Sequence, residues 1–226
     1  IGKGDEVITQ SNTAIPTVNA IVMSGATPVF VDVGVDYQMI VSEVEKNITK
    51  KTKAVIPVHL FGNCCEIDIL QKICKSNNIK LIEDCAQSFG SSYNGKKLGT
   101  FGDTSCFSFY PTKVLSSYGD GGMIVCNDES NYEKLKRMRF HGIDRSKGYY
   151  TSEDARLTMN SRLDEIHASI LRYKLKSVDK LIDNRTKIAN YYFNNIELNG
   201  ISFHPHKPNT VYYNFVVRHK KRDEII

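Results

Sequence analysis

Ala54-Val55-Ile56-Pro57-Val58, then Ile67-Asp68-Ile69-Leu70-Gln71-Lys72-Ile73-Cys74, then Lys80-Leu81-Ile82-Glu83-Asp84: this stretch decides the fold. The outer runs are short, apolar and β-branched, as strands buried on both faces are, and the middle run carries its apolar residues at helical spacing. Strand, helix, strand in that length is a βαβ crossover, which sets two strands parallel in one sheet. Upstream the beat repeats, with Glu6-Val7-Ile8-Thr9 and Pro28-Val29-Phe30-Val31-Asp32-Val33 as strands and Asn19-Ala20-Ile21-Val22-Met23 helix-like between them. Strands beginning about 25 residues apart predict an α/β fold, a mainly parallel sheet flanked by helices. Downstream, Thr104-Ser105-Cys106-Phe107-Ser108-Phe109 and Met123-Ile124-Val125-Cys126 read as further strands, and Asn94-Gly95 as a tight hairpin turn.

From Arg162 the period becomes helical, with Leu163, Ile166, Ile170, Leu171, Leu175 and Val178 on one face and Leu181 to Ile196 continuing it. Val211-Tyr212-Tyr213-Asn214-Phe215-Val216-Val217 reads as a last strand that opens a smaller domain. The expected division is a large α/β domain over 1–178, then a linking helix and the start of a small C-terminal domain over 179–226. Both ends read as cut, so the chain is expected to be a fragment.

Composition excludes several classes. Of 226 residues, 41% are apolar and 24% charged, which is ordinary for a globular chain and rules out wholesale disorder. No apolar run is long enough to span a membrane, and Ile1-Gly2-Lys3-Gly4-Asp5 is not a signal peptide. A cytoplasmic location is the expectation. The net charge of +5 is spread along the chain, and the one tight basic run, Arg218 to Arg222, reads as a solvated turn rather than a nucleic-acid contact. The six cysteines include no C-x-x-C pair, and His59 with Cys64 lacks two further ligands at zinc spacing. Reduced thiols and no metal are expected.

Two motifs come close and fail. Gly90-Ser91-Ser92-Tyr93-Asn94-Gly95-Lys96-Lys97 resembles a phosphate loop, but Lys97 stands where a hydroxyl should be and no helix-forming run follows. Gly119-Asp120-Gly121-Gly122 lacks the spaced third glycine of a dinucleotide fingerprint. No G-x-S-x-G elbow is present.

The chemistry gathers at two strand ends. Asp84 closes a buried strand and is followed by Cys85-Ala86-Gln87, and ligands of open α/β sheets bind beyond such carboxyl ends. Alone, Asp84 reads as a helix cap; Glu83 and Gln87 make the spot polar enough to grip a heterocycle. Lys113 follows the aromatic turn Phe109-Tyr110-Pro111-Thr112 and precedes Gly119-Asp120-Gly121-Gly122, glycines that let backbone approach a ligand. A lysine nucleophile needs such partial desolvation. A strand-end Asp, a Lys about 30 residues on and the nearby Ser108 form the set that pyridoxal phosphate needs: a Schiff-base lysine, an acid at the pyridine nitrogen and a phosphate hydroxyl.

At these residues the chain resembles the DegT-type family of pyridoxal-phosphate-dependent nucleotide-sugar aminotransferases, of aspartate-aminotransferase-like fold type I. The matching segments, in family order, are Gly4-Asp5-Glu6-Val7-Ile8, Gly25 to Asp32, Pro57-Val58-His59-Leu60-Phe61-Gly62, Glu83 to Gln87, Phe107 to Lys113, Gly119 to Gly122, His141-Gly142 and Asn160 to Glu165. The resemblance implies Lys113 as the Schiff-base residue, Asp84 at the pyridinium, Gln87 at the phenolic oxygen and Ser108 at the phosphate. Asn160 would reach the phosphate in a neighbouring subunit, which makes a homodimer with shared sites part of the expectation. His59, Tyr110, Tyr118 and His141 are further pocket candidates. The family's phosphate cup would precede residue 1, and Ala14 stands where many members carry a ring-stacking aromatic. The implied function is amino transfer from an amino acid, glutamate foremost, to a nucleotide-linked keto-deoxy sugar, the 3-keto position slightly ahead of the 4-keto, in amino-sugar and polysaccharide biosynthesis. The alternatives are a sugar dehydratase of the same fold, in which histidine replaces the lysine, and a cofactor-binding regulator without turnover.

Overall fold

The computed structural model describes residues 1–144, 150–151, 158–197 and 199–225. The first elements alternate: β1 (Glu6–Gln10), α1 (Ile15–Met23), β2 (Thr27–Val31), α2 (Val41–Lys46), β3 (Thr52–Ile56), α3 (Ile67–Ser76) and β4 (Lys80–Asp84). A hairpin follows, β5 (Ser92–Tyr93) and β6 (Lys96–Lys97), then β7 (Thr104–Ser108) and β8 (Gly122–Cys126). Asn94 and Gly95 take φ of 48° and 78°, the left-handed pair that a two-residue hairpin turn needs. The main sheet has the order β2-β1-β3-β4-β7-β8. Its neighbours pair in parallel except β8, which runs antiparallel to β7. The α/β reading holds.

Alternation along the strands builds two cores. Ile8, Val55 and Leu81 point to one face, where they pack with Val44 from α2 and with Ile67, Leu70 and Cys74 from α3. Val7 and Ala54 point to the other, where they meet Ile21 of α1, with Ile56 and Ile82 alongside. This face rule sets the site, because Glu83 and Asp84 are adjacent on β4 and must diverge. Asp84 follows Ile82 onto the α1 face, and Glu83 follows Leu81 into the other core.

Beyond the sheet lie α4 (Glu129–Met138), the short pair β9 (Ile143–Asp144) and β10 (Tyr150–Thr151), α5 (Glu165–Leu175) and α6 (Val178–Asn195). Asp128 caps α4 by accepting the Asn131 N–H at 2.7 Å. The helical period expected from Arg162 onward is real but is cut between α5 and α6. Only part of its apolar face is buried: Leu171 and Val178 pack against Phe109, Val114 and Leu115, whereas Ile166 is 75% exposed.

The expected strand over 211–217 is corrected. Only Val217–Arg218 forms a strand, β12, against β11 (Ser202–Phe203), before the short α7 (Arg222–Ile225). Residues 211–213 instead hydrogen-bond to the tight turn Leu60–Gly62: Val211 N donates to Gly62 O at 3.4 Å and Tyr213 N to Phe61 O at 3.0 Å. Tyr212 sits at φ 48°, outside strand geometry, and Arg185 of α6 donates to its carbonyl at 3.0 Å. A β-branched, aromatic composition here serves packing, not a ladder. No described helix is long and apolar enough to cross a membrane, and the six cysteines are free thiols.

Candidate active site

Three neighbouring parallel strands, β3, β4 and β7, end on one edge of the sheet, and their C-terminal extensions carry the candidate residues. Asp84 is the last residue of β4. Its carboxylate is held at both oxygens: Oδ1 accepts the Ala86 N–H at 3.0 Å and Oδ2 accepts the Thr17 hydroxyl at 2.8 Å. Gln87 is half-buried, and its Oε1 accepts the Phe61 N–H at 2.7 Å. That bond fixes the amide so that its NH2 is the free, donating end. Phe61 makes this possible by adopting φ 61°, a left-handed conformation rare for an aromatic residue.

Ser108 ends β7 and is half-buried, with its Oγ accepting the Tyr110 N–H at 3.3 Å. Lys113 follows a turn closed by its own N–H on Tyr110 O at 2.9 Å. Its ammonium lies 4.6 Å from the centre of the Tyr213 ring and donates to the Tyr213 hydroxyl at 3.5 Å. Tyr213 also pairs with the Thr112 hydroxyl at 3.2 Å. A chain of contacts therefore joins Gln87, Phe61, Tyr213 and Lys113. Asn160 stands apart from it, exposed, bridged to Phe140, with Oδ1 accepting from Arg162 Nε at 3.2 Å.

Several sequence readings change here. Glu83 does not line the site. It is wholly buried on the opposite face, where Oε1 accepts the N–H groups of Phe101 and Gly102, each at 2.7 Å. Oε2 accepts the Gly99 N–H at 2.8 Å and meets His59 Nε2 at 3.2 Å. Burial pushes the Glu83 carboxyl up, but the His59 hydrogen bond and charge and the two glycine N–H groups outweigh it, and the net shift is downward. His59 is thus a buried partner of Glu83 and not a pocket residue. The donor atoms of His59, Glu83 and Cys85 lie within 4.8 Å of one another. Both Glu83 oxygens are already occupied and burial drives the Cys85 thiol upward, so this cluster is a structural tie.

The glycine-rich loop also serves packing. A Cβ at Gly119 would lie 2.7 Å from His167 of α5, and one at Gly121 3.0 Å from Leu163. These glycines let the loop lie against the chain entering α5. Tyr110 and Tyr118 are exposed, Tyr118 beneath the Lys174 ammonium at 4.4 Å, and His141 is exposed beside Phe140. Ala14 is the exposed residue before α1, with no aromatic ring of its own to offer. Thr17 and Tyr213 were not singled out from the sequence. Their partners lie 67 and 100 residues away, so only the fold shows their roles.

The donor set suits pyridoxal phosphate: a fixed carboxylate for a protonated ring nitrogen, an amide NH2 for a phenolate, a hydroxyl for a phosphate and a half-buried amine for an aldehyde. Comparison with known proteins agrees. The family model described as the DegT/DnrJ/EryC1/StrS aminotransferase family matches residues 1–226. The chain is 43% identical over 233 residues to the dTDP-3-amino-3,4,6-trideoxy-alpha-D-glucose transaminase of Micromonospora megalomicea subsp. nigra, covering 100% of this chain and 61% of the relative. It is 39% identical, with the same coverage, to a protein of Geobacillus stearothermophilus called a pleiotropic regulatory protein. Among solved structures, DesV of S. venezuelae in complex with a ketimine intermediate superposes with a TM-score of 0.92 at 36% identity, covering 100% of this chain and 60% of that one. The chain thus spans about 60% of the length of the relatives it matches.

Proposed function

The chain belongs to the DegT/DnrJ/EryC1/StrS aminotransferase family, and from that premise we propose that the complete protein is a pyridoxal-phosphate-dependent nucleotide-sugar aminotransferase. One observation carries the reading: Asp84, Gln87, Ser108 and Lys113 lie at or just beyond the ends of neighbouring strands, the first two and the last already oriented by the fold. When bound, the cofactor supplies an aldehyde for the amino group and a ring that draws electrons from the carbon losing its proton.

The residues divide the remaining work. Asp84, held at both oxygens, would keep a positive ring nitrogen in place. Gln87 donates to the phenolic oxygen and Ser108 to the phosphate. Lys113 would hold the aldehyde through its amine, with loss of water, and once displaced by the substrate's amine it would carry the proton from one carbon to the next. Asn160, exposed and outside the cluster, is assigned to a neighbouring subunit's phosphate, which makes a homodimer the working unit. Glutamate is the proposed donor and a nucleotide-linked 3-keto-deoxy sugar the proposed acceptor. The name of the Micromonospora relative, a 3-amino-sugar transaminase, supports the position.

The name of the Geobacillus relative favours one second reading, a regulator of the same fold without turnover. One experiment separates them. The full-length gene product, mixed with pyridoxal phosphate, is expected to show a visible absorption band and, after borohydride reduction, a mass label on Lys113. In a separate, unreduced sample glutamate should yield 2-oxoglutarate, and Lys113→Arg should lose about three or more orders of magnitude in turnover. A folded protein with Lys113 unlabelled, or Lys113→Arg at full turnover, overturns the assignment; labelled Lys113 with no 2-oxoglutarate supports the regulator.

A further inference from the structure

Thr17 lies in the first turns of α1, 7% exposed, on the face of the sheet that Asp84 shares. Its hydroxyl donates to Asp84 Oδ2 at 2.8 Å and lies 3.0 Å from the Thr13 hydroxyl. A threonine hydroxyl has one hydrogen. Because an ionised carboxylate only accepts, that hydrogen goes to Asp84, and the Thr13–Thr17 bond can run only with Thr13 as donor. The result is a directed relay, Thr13 to Thr17 to Asp84, in which each hydrogen bond polarises the next. It ends on the oxygen opposite the one that Ala86 N–H holds at 3.0 Å. The carboxylate plane is therefore fixed from two sides by groups that come from different elements, α1 and the turn after β4.

We propose that Thr17 is a positioning residue for Asp84, and that Thr13 assists it. The proposal rests on the reading of Asp84 as the acid at the cofactor's ring nitrogen. Without the Thr17 hydroxyl, Asp84 keeps, among the described residues, the Ala86 tether alone and turns about its side-chain bonds. A rotated carboxylate meets a ring nitrogen poorly, and the loss falls on cofactor binding before any substrate is present. Thr17→Val is the informative change, since it preserves shape and removes the hydroxyl, both the donor to Asp84 and the acceptor from Thr13. Among the described residues the hydroxyl hydrogen-bonds to Asp84 and Thr13.

The test is a titration of the full-length, cofactor-stripped protein with pyridoxal phosphate, followed by its visible spectrum. A hydrogen bond to a charged group of this kind predicts a dissociation constant raised roughly ten-fold in Thr17→Val and about two- to three-fold in Thr13→Val. Thr17→Ser, which keeps the hydroxyl and loses the methyl, is expected to restore affinity and band position. Thr17→Val binding as tightly as wild type, while Asp84→Asn does not, overturns the role of Thr17 and leaves that of Asp84 standing. Thr17→Ser as impaired as Thr17→Val also overturns it, by showing that the methyl matters. Asp84→Asn binding like wild type overturns the reading of Asp84 itself, and Thr17 falls with it.

Discussion

A carboxylate with no exposure to water survives only if its lone pairs are occupied, and Glu83 meets that condition with three backbone N–H groups and His59. Glu83→Gln keeps the size but turns an NH2 toward donors that need an acceptor, so it should destabilise the fold by about 3 kcal/mol. The same depressed carboxyl sets an acid limit. The unfolded chain takes up a proton first as pH falls past the usual carboxylate value of 4.5, so stability is present above that pH and is lost below it. Chemical unfolding of wild type and variant between pH 7 and about pH 3 checks both, the variant losing stability at neutral pH and showing a flatter acid limb. At this scale the sequence is informative about residues whose neighbours are close in the chain. Asp84 with Gln87, and Lys113 after its turn, are legible because a strand end and a tight turn place them. Glu83 is misread because period-two alternation, not adjacency, decides which way a strand residue points.

Among the elements, the segment over 202–218 is the one whose role its composition hides. It is aromatic and β-branched, yet between the two-residue strands β11 and β12 it lies against the Phe61 turn, with backbone bonds from Val211 and Tyr213 to residues over 100 positions away and Arg185 on the Tyr212 carbonyl. Its own core is an aromatic nest in which His206 meets His204 at 4.7 Å and Tyr212 at 4.8 Å, with Phe193 and Phe215 beyond. Both His206 ring nitrogens are buried without a hydrogen-bond partner among the described residues. Burial first, and the neighbouring His204 second, push the His206 imidazole down from 6.5 to about 4. The unfolded chain is protonated first, so this group contributes stability above pH 6.5 that is lost as the pH falls toward 4. His206→Phe fills the same space with no nitrogen to hydrate, and should raise the melting temperature at pH 5 while leaving it nearly unchanged at pH 8. A melting curve at the two pH values decides it; equal shifts at both would place the effect in packing. The same nest holds Phe61, through His204 and Tyr37, and so bears on Gln87.

Over the whole molecule the parallel order was readable because each βαβ unit repeats a spacing, whereas the antiparallel turn of β8 was not. Nothing in the run Met123-Ile124-Val125-Cys126 distinguishes the two directions; only the long loop after Lys113, folded back by the Phe109–Gly121 and Ser117–Phe109 backbone bonds, reverses the chain. As a result β8 borders the sheet, hydrogen-bonded on one side only among the described residues, with Met123 and Ile124 each about half exposed beside a groove of about 650 Å³. A row of open peptide groups flanked by oily side chains is a template for another strand. In the tube this is a matter of shelf life: concentrates of the 226-residue chain should grow turbid on standing, faster as they are made stronger. Ile124→Lys, a charge set on that rim, should keep them clear at several-fold higher protein concentration by light scattering.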